Sequence, residues 1–197
     1  MTKPSANSAA ANSIRARRVA AGFTAMFAVL GSVAARATAS DVANALPLEL
    51  FYAVLLLNTY FSIRCFSAII PRGNRRQQIA DATLVALYIM LPASFGNARW
   101  FMGFCVLLFT VATLKYVLLL KILAERKLLR KKIIADGLGM MACLAVLGGV
   151  VAGYPRLATY LWLAVFTIAN VYLLFINPLH NLSPDHTDTL ANPEKIH

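Results

Sequence analysis

Apolar residues along this chain fall into long blocks separated by short polar or basic breaks. Six blocks stand out, at residues 19–35, 47–70, 79–95, 100–123, 133–153 and 157–176. Crossing the hydrocarbon of a bilayer takes about 17–25 helical residues. Inside lipid a segment must also satisfy its own backbone hydrogen bonds, which a helix does. The pattern therefore predicts an all-α polytopic membrane protein with six transmembrane helices. Punctuation supports these boundaries: Pro71-Arg72-Gly73 and Asn177-Pro178 stop helices, while Gly96-Asn97 and Tyr154-Pro155-Arg156 make short turns. Asp41 is placed to cap the second helix, Pro47 suits its first turn, and Pro92 is placed to kink the third. Trp100, Tyr160 and Trp162 stand where interfacial aromatic anchors are favoured. Residues 1–14, rich in Ser, Ala and Asn, read as a disordered tail, and 177–197 as a polar one.

Charge orients the blocks. Arg15, Arg17, Arg18, Arg72, Arg75, Arg76, Arg126, Lys127, Arg130, Lys131 and Lys132 fall on alternate breaks, and only Arg36, Arg99 and Arg156 fall on the others. The positive-inside rule then places both termini in the cytoplasm. The first block has a second reading: a basic start, an apolar run and Ala35-Arg36-Ala37 or Ala37-Thr38-Ala39 also fit a cleaved signal peptide. Cleavage would leave five spans and an external N-terminus. The basic stretch 125–132 reads as a loop that fixes topology, with an amphipathic segment on anionic lipid or a docking surface as the alternatives.

A repeat lies inside this layout. A helical hairpin from Leu55 to Leu91 recurs from Val106 to Leu147: each first helix carries a basic residue near its end, Arg64 or Lys115, and each second helix opens with Ile-Ala-Asp, ending at Asp81 or Asp136. Both hairpins enter from the external side, so the repeats are parallel. Ionisable residues within membrane segments are costly and pair or face a protein interior. The depths of these four predict ion pairs within each hairpin, Arg64 with Asp81 and Lys115 with Asp136. Helix-terminal placement of the aspartates and snorkelling of the basic side chains account for the same residues without function. The competing reading is a polar path. A weaker echo around Asn170 in the sixth block allows a third hairpin, formed with the first block.

Composition sharpens the class and narrows the chemistry. Hydrophobic residues make up 59% of the chain, against about 45–50% in soluble domains. The net charge of +11 sits in short loops, which the topology rule explains without nucleic acid as a partner. Cys65, Cys105 and Cys143 form no C-x-x-C and read as buried free thiols. All three histidines lie in the tail, so no membrane helix offers a haem ligand or a metal site. No catalytic constellation and no cofactor motif is present. Gly149 and Gly153 form a G-x-x-x-G for close helix approach, and Asn58, Thr59 and Thr110 are placed to bond across helices.

Two functions lead, with a lipid-modifying enzyme a distant third. The sequence favours a small membrane protein without catalysis of its own, an accessory, assembly or regulatory component beside another membrane protein or a second copy. The alternative is a small transporter or channel with a polar path near Arg64, Asp81, Lys115 and Asp136. Short loops and small size suggest the bacterial inner membrane.

Overall fold

The computed structural model describes residues 6–37, 42–66, 75–120 and 126–176. They form six helices, α1 (Ala6–Ala37), α2 (Val42–Phe66), α3 (Arg75–Ala93), α4 (Ala98–Leu120), α5 (Arg126–Val151) and α6 (Pro155–Val171), the last running into a π-helical turn, Tyr172–Ile176. Five of them contain stretches long and apolar enough to cross a membrane: Ala16–Ala37, Val42–Phe66, Ala98–Leu120, Arg126–Val151 and Pro155–Ile176. α3 is the exception, because its first turn is Arg75-Arg76-Gln77-Gln78 and Asp81 follows within the next.

Helix ends depart from the apolar blocks where helix propensity continues past them. α1 starts at Ala6, so residues 6–14 are helical where a disordered tail was expected. The Ala-rich run there favours helix whether or not it is hydrophobic. α5 starts at Arg126, which turns most of the expected basic loop into the first two turns of a helix. Its Leu129 is fully buried, so this segment packs on the bundle. Pro47 lies inside α2 instead of in its first turn, and Pro92 lies near the end of α3. Asp41, residues 67–70 and 121–123 and the C-terminal tail lie outside the described residues.

Two short connections hold helix pairs together. Between α3 and α4 the Asn97 carboxamide oxygen accepts from the backbone N–H groups of Arg99 and Trp100 at 3.1 and 3.3 Å, capping α4. Between α5 and α6, Gly153 takes φ +95°, a conformation that favours glycine. The Tyr154 N–H closes the turn on the Gly149 carbonyl at 3.0 Å. Gly153 is thus a helix terminator, and a Cβ added there would meet nothing within 4 Å among the described residues. Gly149 alone packs, where an added Cβ would lie 3.2 Å from the Ala158 Cβ of α6. Closer approaches occur elsewhere, at Gly31 under Tyr52 and at Gly139 under Phe109.

The helices close into a ring in the order α1, α2, α6, α5, α4, α3 and back to α1, with α2 also touching α3 and α4 across the middle. α4 lies along α5 in the most extensive pairing, whereas α2 and α3 barely touch and α1 packs on α2 and α3. The hairpins expected to be equivalent are therefore unequal in packing. A main core fills one end of the ring, with Phe51, Phe95, Phe101, Leu91 and Met102 almost fully buried. Tyr52 locks it by donating to the Tyr88 carbonyl at 3.1 Å, and Cys105 of α4 and Cys143 of α5 are both buried within it. A smaller cluster, Cys65, Phe66, Tyr116, Leu119 and Leu129, closes the other end of α2, α4 and α5. All three cysteines are buried free thiols. The outer surface is apolar, including Val29, Val33, Leu138, Leu161, Val165 and Ile168. That is the surface a bundle solvated by lipid presents, because lipid gives no reason to bury such residues.

Candidate functional site

Between the two cores lies a cavity of about 570 Å³, walled by α1 to α5. Its position follows from the chain order on each helix. On α4 the main core ends at Leu108 and Phe109, the cavity takes Ala112 and Lys115, and the small cluster begins at Tyr116. On α2 the corresponding cavity residues are Asn58, Thr59 and Ser62. α5 contributes Lys132 and Asp136, and α3 contributes Gln77, Gln78, Asp81 and Tyr88. Gln78 and Asp81 on α3 and Val19 and Phe23 on α1 are exposed. They mark a mouth between these two loosely packed helices, at the end of the ring that bears Arg17, Arg18 and Arg75.

Every charged residue of the wall, among the described residues, belongs to an ion pair. The Lys115 ammonium donates to Asp81 Oδ1 at 2.5 Å, linking α4 to α3. The Lys132 ammonium lies 2.8 Å from Asp136 Oδ1, one turn away on α5. The pairs differ in burial: the Asp81 side chain is 51% exposed at the mouth, while the Asp136 side chain is 5% exposed inside. The Tyr116 ring stands between them, with Lys115 Nζ 6.0 Å and Lys132 Nζ 5.9 Å from its centroid. Both distances are at the outer limit of cation–π attraction.

These partners correct the expected ones. Asp81 pairs with Lys115 instead of Arg64, and Asp136 pairs with Lys132 instead of Lys115. The physical reason is adjacency, since the tight Asn97 turn sets α3 against α4 whereas α2 and α3 hardly meet. Lys132, expected in a loop, lies on α5 one turn before Asp136, where i and i+4 side chains face each other. Arg64 is exposed, lies outside the cavity wall and makes no salt bridge among the described residues. Three of the four expected charged residues thus meet in one cavity, and Lys132 takes the place of the fourth.

Uncharged candidates divide similarly. The Thr59 hydroxyl bonds across the bundle to the Tyr88 hydroxyl and donates back to the Leu55 carbonyl at 2.8 Å. Thr110 donates to its own helix at Val106 and reaches the Met140 sulfur of α5 at 3.2 Å. Asn58 lines the cavity. Ser62 and Gln77 belong to no motif in the sequence, yet the Ser62 Oγ, the Gln77 Nε2 and the Asp136 Oδ2 are all buried without a hydrogen-bond partner among the described residues. Buried polar groups are nearly always satisfied, so each such atom needs an explanation.

An open groove of about 630 Å³ runs on the outer surface behind Asp136, between α5 and α6, with Leu138, Ala142, Val165 and Ala169 in its wall. It shares Asn58, Phe109, Lys132 and Asp136 with the first, so the buried ion pair separates the two spaces. Among the described residues, no group of three or more His, Cys, Asp and Glu side chains is placed to hold a metal ion. Comparison with known protein families, curated proteins and solved structures finds no match.

Proposed function

We propose that the chain is a six-span protein of the bacterial inner membrane with both termini cytoplasmic, and that it carries a small polar solute through the charged cavity. The crossing by α3 is supported by its length: 19 residues rise about 28 Å as a helix, close to the hydrocarbon thickness of about 30 Å. Its short connection to α4 also returns the chain across the same depth. The asymmetry of basic residues supports the orientation. The parallel hairpin repeat is retained as a duplication of sequence, with Asp81 and Asp136 as its matched positions.

One observation carries the transport reading over the accessory role: ionisable residues from three helices converge on a single internal cavity. Charges buried in a membrane bundle are expensive and belong by default to solute, ion or proton pathways. Solute sites in bundles also lie between helices, with few polar groups in a mainly apolar wall. The exposed apolar faces, by contrast, are those any bundle offers to lipid, and they select no partner. In a Cys-free background, Ser62→Cys tests the cavity with a membrane-impermeant thiosulfonate reagent. Reaction is expected from the face bearing Arg75 and Arg126, and none from the other. A cysteine unreactive from both faces overturns the reading, and an accessory role beside a co-purifying protein then becomes the better one.

A further inference from the structure

We propose that the cavity recognises a zwitterion, a molecule carrying an ammonium and an acid group on an apolar body. This rests on the transport reading above and deepens it. Among the described residues the wall charges cancel, because Asp81, Lys115, Lys132 and Asp136 form two closed pairs. A ligand with net charge would therefore enter a low-dielectric space without a counter-charge, which is costly. A zwitterion brings none.

The unsatisfied atoms have matching polarity. Asp136 is 3% exposed and its Oδ2, on α5, is an anionic acceptor without a partner among the described residues. Gln77 is 7% exposed and its Nε2, on α3, is a donor likewise without a partner among the described residues, as is the Ser62 hydroxyl on α2. An ammonium satisfies the first, and an acid group satisfies the other two. Charge-assisted bonds of this kind are about twice as strong as neutral ones, which favours a zwitterion over a neutral alcohol or amide. Towards the main core the wall becomes apolar with Phe27, Leu55 and Phe109, a place for the body of the ligand. The volume lies within the roughly 300–1,000 Å³ of small-molecule sites. Two sources share this chemistry, a free amino acid and a phosphatidylethanolamine headgroup entering through the mouth between α1 and α3.

The full chain, reconstituted in nanodiscs of phosphatidylglycerol alone, is titrated with L-phenylalanine by equilibrium dialysis. 2-Phenylethylamine, 3-phenylpropionate and 3-phenylpropanol serve as cationic, anionic and neutral comparisons. Saturable binding of L-phenylalanine is expected, about tenfold or more tighter than any of the three, as loss of one charged bond implies. Asp136→Asn should weaken it by about ten- to a hundredfold. Ser62→Ala and Gln77→Leu should weaken it less, and they carry the test should Asp136→Asn not fold. Displacement by added phosphatidylethanolamine assigns the zwitterion to the lipid headgroup, and retention assigns it to a free solute; either supports the chemistry. Equal binding of a singly charged or neutral probe overturns the inference, as does no binding of L-phenylalanine together with no stabilisation by phosphatidylethanolamine. Reaction of Ser62→Cys under either of those outcomes leaves the solute cavity standing and removes only the zwitterion.

Discussion

Replacing Lys132 by Met isolates the most buried charge in the bundle. Asp136 is 3% exposed, receives Lys132 at 2.8 Å on Oδ1 and has no partner on Oδ2 among the described residues. Without the ammonium a carboxylate remains in the interior with nothing to balance it, a loss of about 3–5 kcal/mol. Removing both charges, as in K132M/D136L, deletes the pair and its desolvation together, so the double variant should lie near the wild type. Asp136→Leu alone should cost less than Lys132→Met, because the freed lysine stem can run toward the basic end of α5. Steric-trap unfolding in bicelles measures all four proteins, and the cycle yields the coupling directly. The exposed pair is the internal control: Asp81→Asn at the mouth should cost about 0–1 kcal/mol. A Lys132→Met loss below about 1 kcal/mol, or an additive cycle, would refute the burial argument and mean that water reaches Asp136.

Gly31→Leu should destabilise by about 1–3 kcal/mol through overpacking. Its Cβ would lie 2.8 Å from Tyr52 Cε1, and the Tyr52 hydroxyl is held by the Tyr88 and Phe27 carbonyls; an unchanged midpoint in the same unfolding assay would contradict that approach. Gly153→Ala, forced to φ +95°, should lose about 1–2 kcal/mol from left-handed strain alone, and a variant as stable as the wild type would remove the terminator role. Cys65, Cys105 and Cys143, at 7%, 0% and 0% exposure, should resist a membrane-permeant maleimide in the native bundle and react after unfolding in SDS, as mass spectrometry of the intact chain would show. Immediate labelling of Cys105 or Cys143 would displace the main core.

The helices were legible because lipid imposes length on any segment that crosses it, and the apolar blocks record that length. Their ends were less legible because an apolar block marks contact with lipid, whereas a helix continues as long as its backbone is favourable. Residues 6–14 and 126–132 are the two places where this matters. In the first, alanine-rich polar chain stays helical. In the second, Leu129 and Lys132 turn inward while Arg126, Lys127, Arg130 and Lys131 stay exposed, so a stretch read as a loop by charge alone becomes an amphipathic helix start. A helical period over residues 126–136 sets Lys132 and Asp136 four residues apart on one face, the spacing at which such side chains pair.

Asp81 and Lys115 show a different limit. Their depth was readable, since each lies a few turns from a basic boundary, but depth does not say which helix stands beside which. Connection length does: residues 94–97 join α3 to α4 in one capped turn, whereas residues 67–74 separate α2 from α3. A short turn forces antiparallel neighbours, so the neighbour of Asp81 was readable from the two connections even though the hairpin repeat pointed elsewhere. Ser62 and Gln77 had no such signal. α2 is apolar nearly all round, and neither α2 nor α3 shows an amphipathic period. With lipid outside and protein inside equally apolar, one serine or glutamine cannot announce which face it occupies. The inner face of such a helix is set by its neighbours in the ring. That is why the polar atoms left without partners, the strongest pointers to a ligand, became visible only once five helices were in place.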